Sequence, residues 1–544
     1  MNYKQILSKA QSECGYLRDA DCIGIYIASS RNDSIKNDIF NSAQREIEKN
    51  HIHAKVFRSG SFGYYDLEPI LVIEKSGEPP ILYGNLSTDS IPDFIREVLI
   101  ECKQGSGGVF SPLSGVQLFQ LESRIALRNC GMLDPGNINH YLLKGNGYSG
   151  LAKAMEMGQE ATIEELKGSG LRGRGGSGYV TADKWQICHE AEGKEKVMIC
   201  NAIDADPDSV TSRLLLDGDP HSVLEGMLIG AYAVGADCCM VCINKRYEQA
   251  FKSVRSAINQ MRLCSLEGEK IMGSPFCCRI EVIEIPDYLV SGEETAILRL
   301  IEGRQPMPYI RPPYPAEKGL GEKPVLVNNS ETCANISAIF QNGAEWFSGF
   351  GLAHSRGTKV VNLTGDIVHK YTVEVDFGTR LIEIIEEIGG GTPDGKEIKA
   401  VQFGGPTGEY FSPNSLDTPL DYRVMKEKGS IIGSGTLQVI DNDTCMVERS
   451  RDVISYLQSQ SCGKCVFCRE GTHQMYDILT DISGKEGKPE DLNLLLEIGD
   501  AMKTGCICAL GRTAPNPVLS SITLFRDEYD FHIKEKKCPL GKND

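Results

Sequence analysis

Five stretches decide the fold: KVMICNA (196–202), PHSVLEGMLIGAYAVG (220–235), CCMVCIN (238–244), RYEQAFKSVRSAINQM (246–261) and RIEVIEI (279–285). The three short ones are apolar, β-branched-rich runs of strand length. The two long ones carry apolar residues at helical spacing. Strands alternating with helices at these intervals argue an α/β core around a mainly parallel sheet. Cysteines inside the strands, such as Cys238, Cys239 and Cys242, read as small buried hydrophobes rather than ligands.

Working outward from this core, residues 1–110 read as a small α/β unit. DCIGIYIASS (21–30) and PILVIEK (69–75) are strand-like, SIKNDIFNSAQREIEKN (34–50) is helical, and IPDFIREVLIEC (91–102) is a closing helix. KQGSGG (103–108) reads as a linker. Residues 111–350 hold the large α/β unit, in which the helix TIEELKGSG (162–170) runs straight into a glycine-rich loop. Residues 351–440, with TKVVNLTG, YTVEVDFGT, LIEIIEEIGGG and KAVQFGG, suggest a compact β-grasp-like unit. Residues 441–544 read as helical, interrupted by cysteine clusters.

A chain of 544 residues accommodates two to four domains. A formal net charge of −17 excludes the broad basic face of a nucleic-acid binder. No apolar run is long enough for a membrane span, and the polar N-terminus lacks a secretory core, so a cytoplasmic location without membrane insertion is expected. In such a compartment 20 cysteines are not a disulfide framework, and only their spacing is informative.

Three groups of motifs carry chemistry. The loop GSGLRGRGGSG (168–178) contains G-x-G-x-x-G at Gly173, Gly175 and Gly178. A helix precedes it, so the simple dinucleotide fingerprint of a strand-to-helix turn does not apply. Its glycines still bring several N–H groups toward one point, with Arg172, Arg174 and Lys184 beside them, which suits a phosphate or pyrophosphate. CNAIDADPDSVTSR (200–213), YLVSGEETAIL (288–298) and KPVLVNNSETCANI (323–336) follow or end strands. Open α/β sheets bind ligands at such loops. There Asn328 and Asn329 suit a flavin edge, and Glu293 and Glu294 can accept from ribose hydroxyls. Finally, SCGKCVFCREGT (461–472) sets Cys462, Cys465 and Cys468 as Cys-x-x-Cys-x-x-Cys, and TGCICALGRTAPNPVLS (504–520) adds Cys506 and Cys508. Three thiolates at that spacing plus one distal cysteine suit a [4Fe–4S] cube, with Cys508 the fourth ligand and Cys506 a neighbouring core thiol. Zinc is the competing occupant.

With these residues in view, GLRGRGGSGYVTADKW, DPHSVLEGM, VSGEETAIL, PPYPAEKGL, VNNSET and SCGKCVFCREGT resemble, in order, the NADH-binding flavoprotein subunit of respiratory complex I. They also resemble its relatives in soluble NAD(P)-dependent hydrogenases and formate dehydrogenases. The resemblance spans about residues 115–535. The N-terminal extension and the ending FRDEYDFHIKEKKCPLG are most similar to the corresponding subunit of electron-bifurcating hydrogenases.

The resemblance implies an α/β multidomain fold: a thioredoxin-like N-terminal domain, a Rossmann-like α/β flavin domain (111–350), a β-grasp (ubiquitin-like) domain (351–440) and a C-terminal helical bundle with an iron–sulfur cluster. It implies FMN, a [4Fe–4S] cluster, and NAD(H) or NADP(H) as substrate. By position it assigns Gly173, Arg174, Gly175, Gly176, Gly178 and Lys184 to the phosphate loop. Asn201, Asp204 and Asp206 fall on the flavin-contacting acidic loop. Asn328, Asn329 and Thr332 fall on the flavin's phosphate side. Tyr288, Gly292 and Glu293 line the cleft, Glu294 engages the ribose, and Tyr179 and Tyr314 stack on adenine. No side chain is assigned a catalytic role, because the hydride chemistry belongs to FMN. Expected partners are other iron–sulfur subunits of a redox complex: a small [2Fe–2S] subunit and a hydrogenase or formate dehydrogenase subunit, with ferredoxin reached indirectly.

The sequence departs from the family pattern in three places. The acidic loop reads NAIDADPD (201–208), with Ile203 in place of an acid and Asp208 in place of a glycine. The N-terminal domain has Ser61 and Tyr65 where thiolates are expected, and Cys14 and Cys22 lie too far upstream, so it should carry no cluster. Relatives of the bifurcating type often continue past the Cys-Pro at Cys538 into a ferredoxin-like region with further clusters, whereas this chain stops six residues later, so one cluster is expected and Cys538 is expected to be an unpaired tail thiol rather than part of an intersubunit metal site. These departures motivate an alternative, a degenerate scaffold or electron-wire subunit that no longer uses a dinucleotide.

Overall fold

The computed structural model describes residues 1–30, 33–103, 121–193 and 195–541. Most of the linker KQGSGG, and the boundary expected at 110, lie outside these residues. The N-terminal unit contains α1 (Tyr3–Glu13), β1 (Ile23–Ala28), α2 (Asp33–Lys49), β2 (Ala54–Ser59), β3 (Ile70–Glu74), β4 (Ile81–Tyr83) and α3 (Ile91–Phe94), the last continuing in π turns to Ile100. Its sheet runs β2–β1–β3–β4, parallel only between β1 and β2. Helix α2 sets Ile39, Ala43 and Ile47 one turn apart against Ile25 and Ile27 of β1. The alternate residues Tyr26 and Ala28 face a second core, shared with Val361, Val373 and Val439. The two-residue period of one strand thus joins two units. Sequence patterning did not signal β2, an edge strand whose Lys55 and Arg58 interrupt the apolar alternation.

The central unit follows the expected alternation. Helix α4 (Gln159–Ser169) leads into the glycine loop, which ends at α5 (Thr181–Glu190). β5 (Val197–Ala202), α6 (Thr211–Gly218), α7 (Pro220–Val234), β6 (Cys238–Asn244), α8 (Glu248–Leu263), β7 (Arg279–Ile285), α9 (Glu294–Ile301), β8 (Val325–Asn329) and α10 (Ser330–Asn342) follow. The sheet is fully parallel in the order β7–β6–β5–β8. Helix α7 starts cleanly because Asp219 caps it and Pro220 opens its first turn. It is buried almost all round, which matches its lack of a polar face. Cys239 and Cys242 are buried in the sheet, as small hydrophobes should be.

A short hairpin, β9 (Gly351–Leu352) and β10 (Ser355–Arg356), precedes a five-stranded sheet of β11 (Thr358–Gly365), β12 (Thr372–Asp376), β13 (Ile398–Phe403), β14 (Glu409–Phe411) and β15 (Thr436–Asp441). Its order is β12–β11–β15–β13–β14, with β11 and β15 parallel. The segment LIEIIEEI is helical and buries Leu381, Ile384, Ile385 and Ile388. The chain ends in helices α11 (Met446–Ser459), α12 (Val466–Ser483), α13 (Asp491–Gly505), α14 (Ala509–Thr513), α15 (Asn516–Leu524) and α16 (Arg526–Glu535). Among the described residues no helix is long and apolar enough to cross a membrane.

Candidate functional site

The glycine loop is a strained turn held from three sides. Gly173 N–H donates to the Tyr179 carbonyl (2.8 Å) and Thr181 N–H to that of Leu171 (3.0 Å), closing the loop at its neck. Gly176 and Gly178 sit at φ +117° and +63°. A Cβ on Gly176 would lie 2.8 Å from the Gly433 carbonyl oxygen, and one on Gly178 would lie 2.4 Å from the Tyr422 ring. Only glycine fits either position, for reasons of both φ and space. Tyr422 also donates to the Gly173 carbonyl (3.0 Å).

On the other flank, Asn329 caps α10 by accepting from Thr332 N–H (2.9 Å), and Thr332 Oγ1 accepts from Arg174 N–H (2.9 Å). A Cβ on Gly175 would meet Asn329 at 3.7 Å, an ordinary van der Waals contact, so this glycine places the loop backbone close to the Asn329 cap. This glycine cradle, free of side-chain bulk at a helix N-terminus, fits a nucleotide phosphate. The arginine side chains play a different part. Arg174 is buried, and its two amino groups donate to the carbonyls of Arg172 and Arg356. Arg172 reaches the carbonyls of His354 and Gly178. Both brace the loop from behind, whereas the sequence pattern suggests charges beside a phosphate.

The cleft next to the cradle is a network of two carboxylates and two cations. Glu293 caps α9, accepting from Thr295 N–H (2.8 Å) and Ala296 N–H (2.9 Å), and pairs through its other oxygen with Arg311 (2.7 Å). Glu294 pairs with Lys184 (2.9 Å) and Arg311 (3.3 Å). Lys184 also donates to the Val327 carbonyl (3.1 Å). Sequence reading missed Arg311, although it directly precedes PPYPAEKGL; only pairing in space reveals it. Tyr179, Tyr288 and Tyr314 are about half exposed (48, 49 and 52%), so these rings are free to stack on a ligand. Asn201 donates to the Gly292 carbonyl (3.0 Å), and Asn328 accepts from the Trp185 indole (3.1 Å).

The acidic loop is architectural. Asp204, at φ +43°, caps α6 by accepting from Ser212 N–H and Oγ–H (both 2.7 Å) and from Arg213 N–H (3.2 Å). Burial pushes its carboxyl up to about 6, and the helix N–H groups oppose that shift. Asp206 accepts from Ser434 (2.5 Å) and Thr436 (2.6 Å), tying the loop to β15. Ile203 is fully buried in an apolar cluster with Ile199 and Val327.

The cysteines of the C-terminal helices gather at one end. Cys465 immediately precedes α12, Cys468 lies in its first turn, and Cys508 caps α14. Cys465 Sγ accepts from Ile507 N–H (3.4 Å). Burial raises the Cys508 thiol to about 11, with the Glu293 carboxylate and the Cys468 and Cys462 thiols adding to it. Burial likewise raises Cys506 to about 12, with Cys468, Cys465 and Cys508 contributing. These thiols therefore share one locale, as suits a cube in which each sulfur binds a different iron. The cluster loop is stitched to the cleft: Leu289 N–H donates to Gln460 (2.9 Å), and Lys464 donates to the Pro308 carbonyl (2.6 Å).

Two further expectations are refined, one near each end of the chain. Ser61 Oγ donates to Glu68, which also accepts from Ser30 N–H and Oγ–H (2.7 Å each), and Tyr65 bonds to Thr372 (3.1 Å). Where thiolates were expected there is a carboxylate–hydroxyl network. Cys538 is not an isolated tail thiol: it is buried beside Cys445 and His532.

The family model for the Nuo51 FMN-binding domain matches residues 166–338, and that for the NADH-ubiquinone oxidoreductase-F iron-sulfur binding region matches residues 448–532. The HndC subunit of the NADP-reducing hydrogenase of Solidesulfovibrio fructosivorans is 45% identical over 416 residues, 76% of this chain and 84% of that protein. The F 2 subunit of the NADH-quinone oxidoreductase of Rhizobium meliloti (strain 1021) is 35% identical over 417 residues, covering 76% of this chain and 99% of that protein. The F subunit of the NADH-quinone oxidoreductase of Escherichia coli (strain K12) is 33% identical over 393 residues, 72% of this chain and 88% of that protein. The fold is also similar to that in the crystal structure of NAD+-reducing [NiFe]-hydrogenase in the H2-reduced state. That match has TM-score 0.67 at 23% identity and covers 97% of this chain and 88% of that one.

Proposed function

The chain belongs to the family of FMN-binding, NADH dehydrogenase-type flavoprotein subunits with a 4Fe–4S region, and from that premise we propose that it moves hydride between NAD(P)(H) and FMN and relays single electrons through Cys462, Cys465, Cys468 and Cys508. Bound FMN supplies the exchange between a two-electron carrier and one-electron acceptors. The chain's own residues position the reactants. The Gly173–Gly178 backbone and the Asn329–Thr332 cap hold the flavin phosphate, Asn201 and Asn328 fix the walls of the pocket, and Tyr179 and Tyr314 sandwich the adenine. Glu294 accepts from the adenosine ribose, while Lys184 and Arg311 offer cations to a 2′-phosphate, so the cleft takes either dinucleotide.

One observation carries this reading. The loop that carries the cluster cysteines is hydrogen-bonded to the cleft, by Leu289 N–H to Gln460 and by Lys464 to the Pro308 carbonyl. Cleft and cluster are therefore near neighbours, as electron transfer between them requires. Val466 and Phe467, exposed between two cluster cysteines, form the face through which an iron–sulfur partner exchanges electrons. The 45%-identical relative is named as a subunit of an NADP-reducing hydrogenase, which supports a hydrogenase-type complex; we further propose that this complex is soluble and electron-bifurcating. The unit up to residue 110 is thioredoxin-like, residues 111–350 bind FMN and NAD(P), 351–440 are β-grasp-like, and the remainder carries the cluster.

The test is dye reduction by the anaerobically reconstituted chain. NADH or NADPH should reduce the dye at full flavin and iron loading. A loaded chain inert to both would establish the electron-wire alternative instead.

A further inference from the structure

Two side chains of the cluster loop grip the dinucleotide cleft on either side of one helix. Gln460 accepts from Leu289 N–H (2.9 Å), in the turn Leu289–Gly292 that leads to α9. Lys464 donates to the Pro308 carbonyl (2.6 Å), in the segment that follows α9. The same segment carries Arg311, which pairs with Glu293 and Glu294 at the start of α9, and its Tyr309 N–H donates to Thr295 (3.1 Å). A displacement of Pro308 is therefore passed to both cleft carboxylates. Leu289 also packs on the apolar core that contains Cys468 and Cys506.

Lys464 is the charged member of this pair. It lies between Cys462 and Cys465, and among the described residues no carboxylate pairs with it. Its charge is thus left to act on the thiolates to either side. Four thiolates leave a [4Fe–4S] unit net negative, and an added electron deepens that charge. A neighbouring ammonium favours the reduced state by Coulomb attraction. Building on the function proposed above, we infer that Lys464 is a positioning residue that couples dinucleotide binding to the redox state of the cluster. A ligand that engages Arg311 and Tyr314 fixes the segment around Pro308, and the Pro308 carbonyl then holds the ammonium in place beside the cluster. Conversely, an added electron draws Lys464 in and sets that segment in its binding arrangement. The two effects are one coupling free energy and must be equal in size.

The test uses the flavin- and iron-loaded chain with ADP-ribose, a probe that keeps the adenine, the riboses and the pyrophosphate but carries no nicotinamide. The cluster midpoint is read from the paramagnetic resonance signal of its reduced state during a mediated dithionite titration, and Kd is measured in both oxidation states. ADP-ribose should bind about tenfold tighter to the reduced chain and, at saturation, raise the midpoint by about 59 mV. Direct repulsion by the probe's pyrophosphate would lower the midpoint, so a rise identifies the lysine. Lys464→Met should lower the midpoint of the free chain and remove both the rise and the tenfold difference, whereas Lys464→Arg should keep them. If Lys464→Met does not load iron, Lys464→Gln, neutral yet still able to donate, decides in the same way. A wild-type chain that binds ADP-ribose with its midpoint unmoved or lowered would overturn the coupling and leave the proposed function standing, as would a rise that survives in the neutral variants. A chain that holds the cluster but binds no ADP-ribose would overturn both.

Discussion

The helical unit contains two cysteine assemblies of opposite design. Cys462, Cys465 and Cys468 are three residues apart in sequence and lie around the start of α12. Cys445, His532 and Cys538 are scattered over more than ninety positions, and their ligand atoms converge within 4.8 Å. Local spacing thus announces the cluster motif, whereas the second grouping depends on packing to bring distant residues together. The same contrast divides the cleft, where Glu294 lies in a recognisable motif and its partner Arg311 does not.

The sharpest way to break the comparison is a pair of single changes. Cys465→Ser should remove the iron and the visible cluster absorbance while leaving flavin. Cys538→Ser should leave iron and flavin in place, and loss of iron in that variant would merge the two groupings into one. The next effect in size is at the cradle. Gly178→Ala places a Cβ against Tyr422 at positive φ and should cost about 2–4 kcal/mol, read as a lower denaturation midpoint and loss of bound FMN. Normal flavin content in a stable variant would mean the loop's glycines do not shape the site.

Within the cleft, Glu294→Ala and Arg311→Ala should shift preference in opposite directions. Loss of the carboxylate should weaken NADH more than NADPH, and loss of the cation NADPH more than NADH, by about tenfold each in kcat/KM, or ~1.4 kcal/mol. Parallel losses for both dinucleotides would show that the pair only props the cleft.

The smallest effect concerns Asp204. Burial lifts its carboxyl to about 6, so the folded chain keeps a proton that the unfolded chain has already released. Stability from this group is greatest below about pH 4 and falls as pH rises to about 6. Asp204→Asn should flatten that decline, by an amount on the order of 1 kcal/mol, in a pH series of melting curves. An unchanged slope would assign the decline to other buried acids such as Glu374, which burial lifts to about 7.

The sequence disclosed what short-range pattern can encode. The parallel sheet was legible because its strands are apolar runs alternating with segments of helical spacing, and the cradle because glycines of unusual density sit beside them. The missing parts are those in which a side chain acts at long range. Arg174 looked like a charge for a phosphate, but its guanidinium braces carbonyls at Arg172 and Arg356. Asp204 looked like a cofactor contact, but its carboxylate caps a helix. Strand β2 was hidden because an edge strand can carry Lys55 and Arg58 toward solvent.

Gly433 and Tyr422, which press on the cradle, belong to the sheet-bearing segment after residue 350, as do Ser434 and Thr436, which anchor Asp206. The smallest fragment able to retain FMN therefore has to run on past that point. Trimming the gene to the nucleotide-binding portion alone would delete the floor beneath the phosphate loop, and a colourless product from such a fragment would reflect that missing support and leave the loop's own chemistry untested.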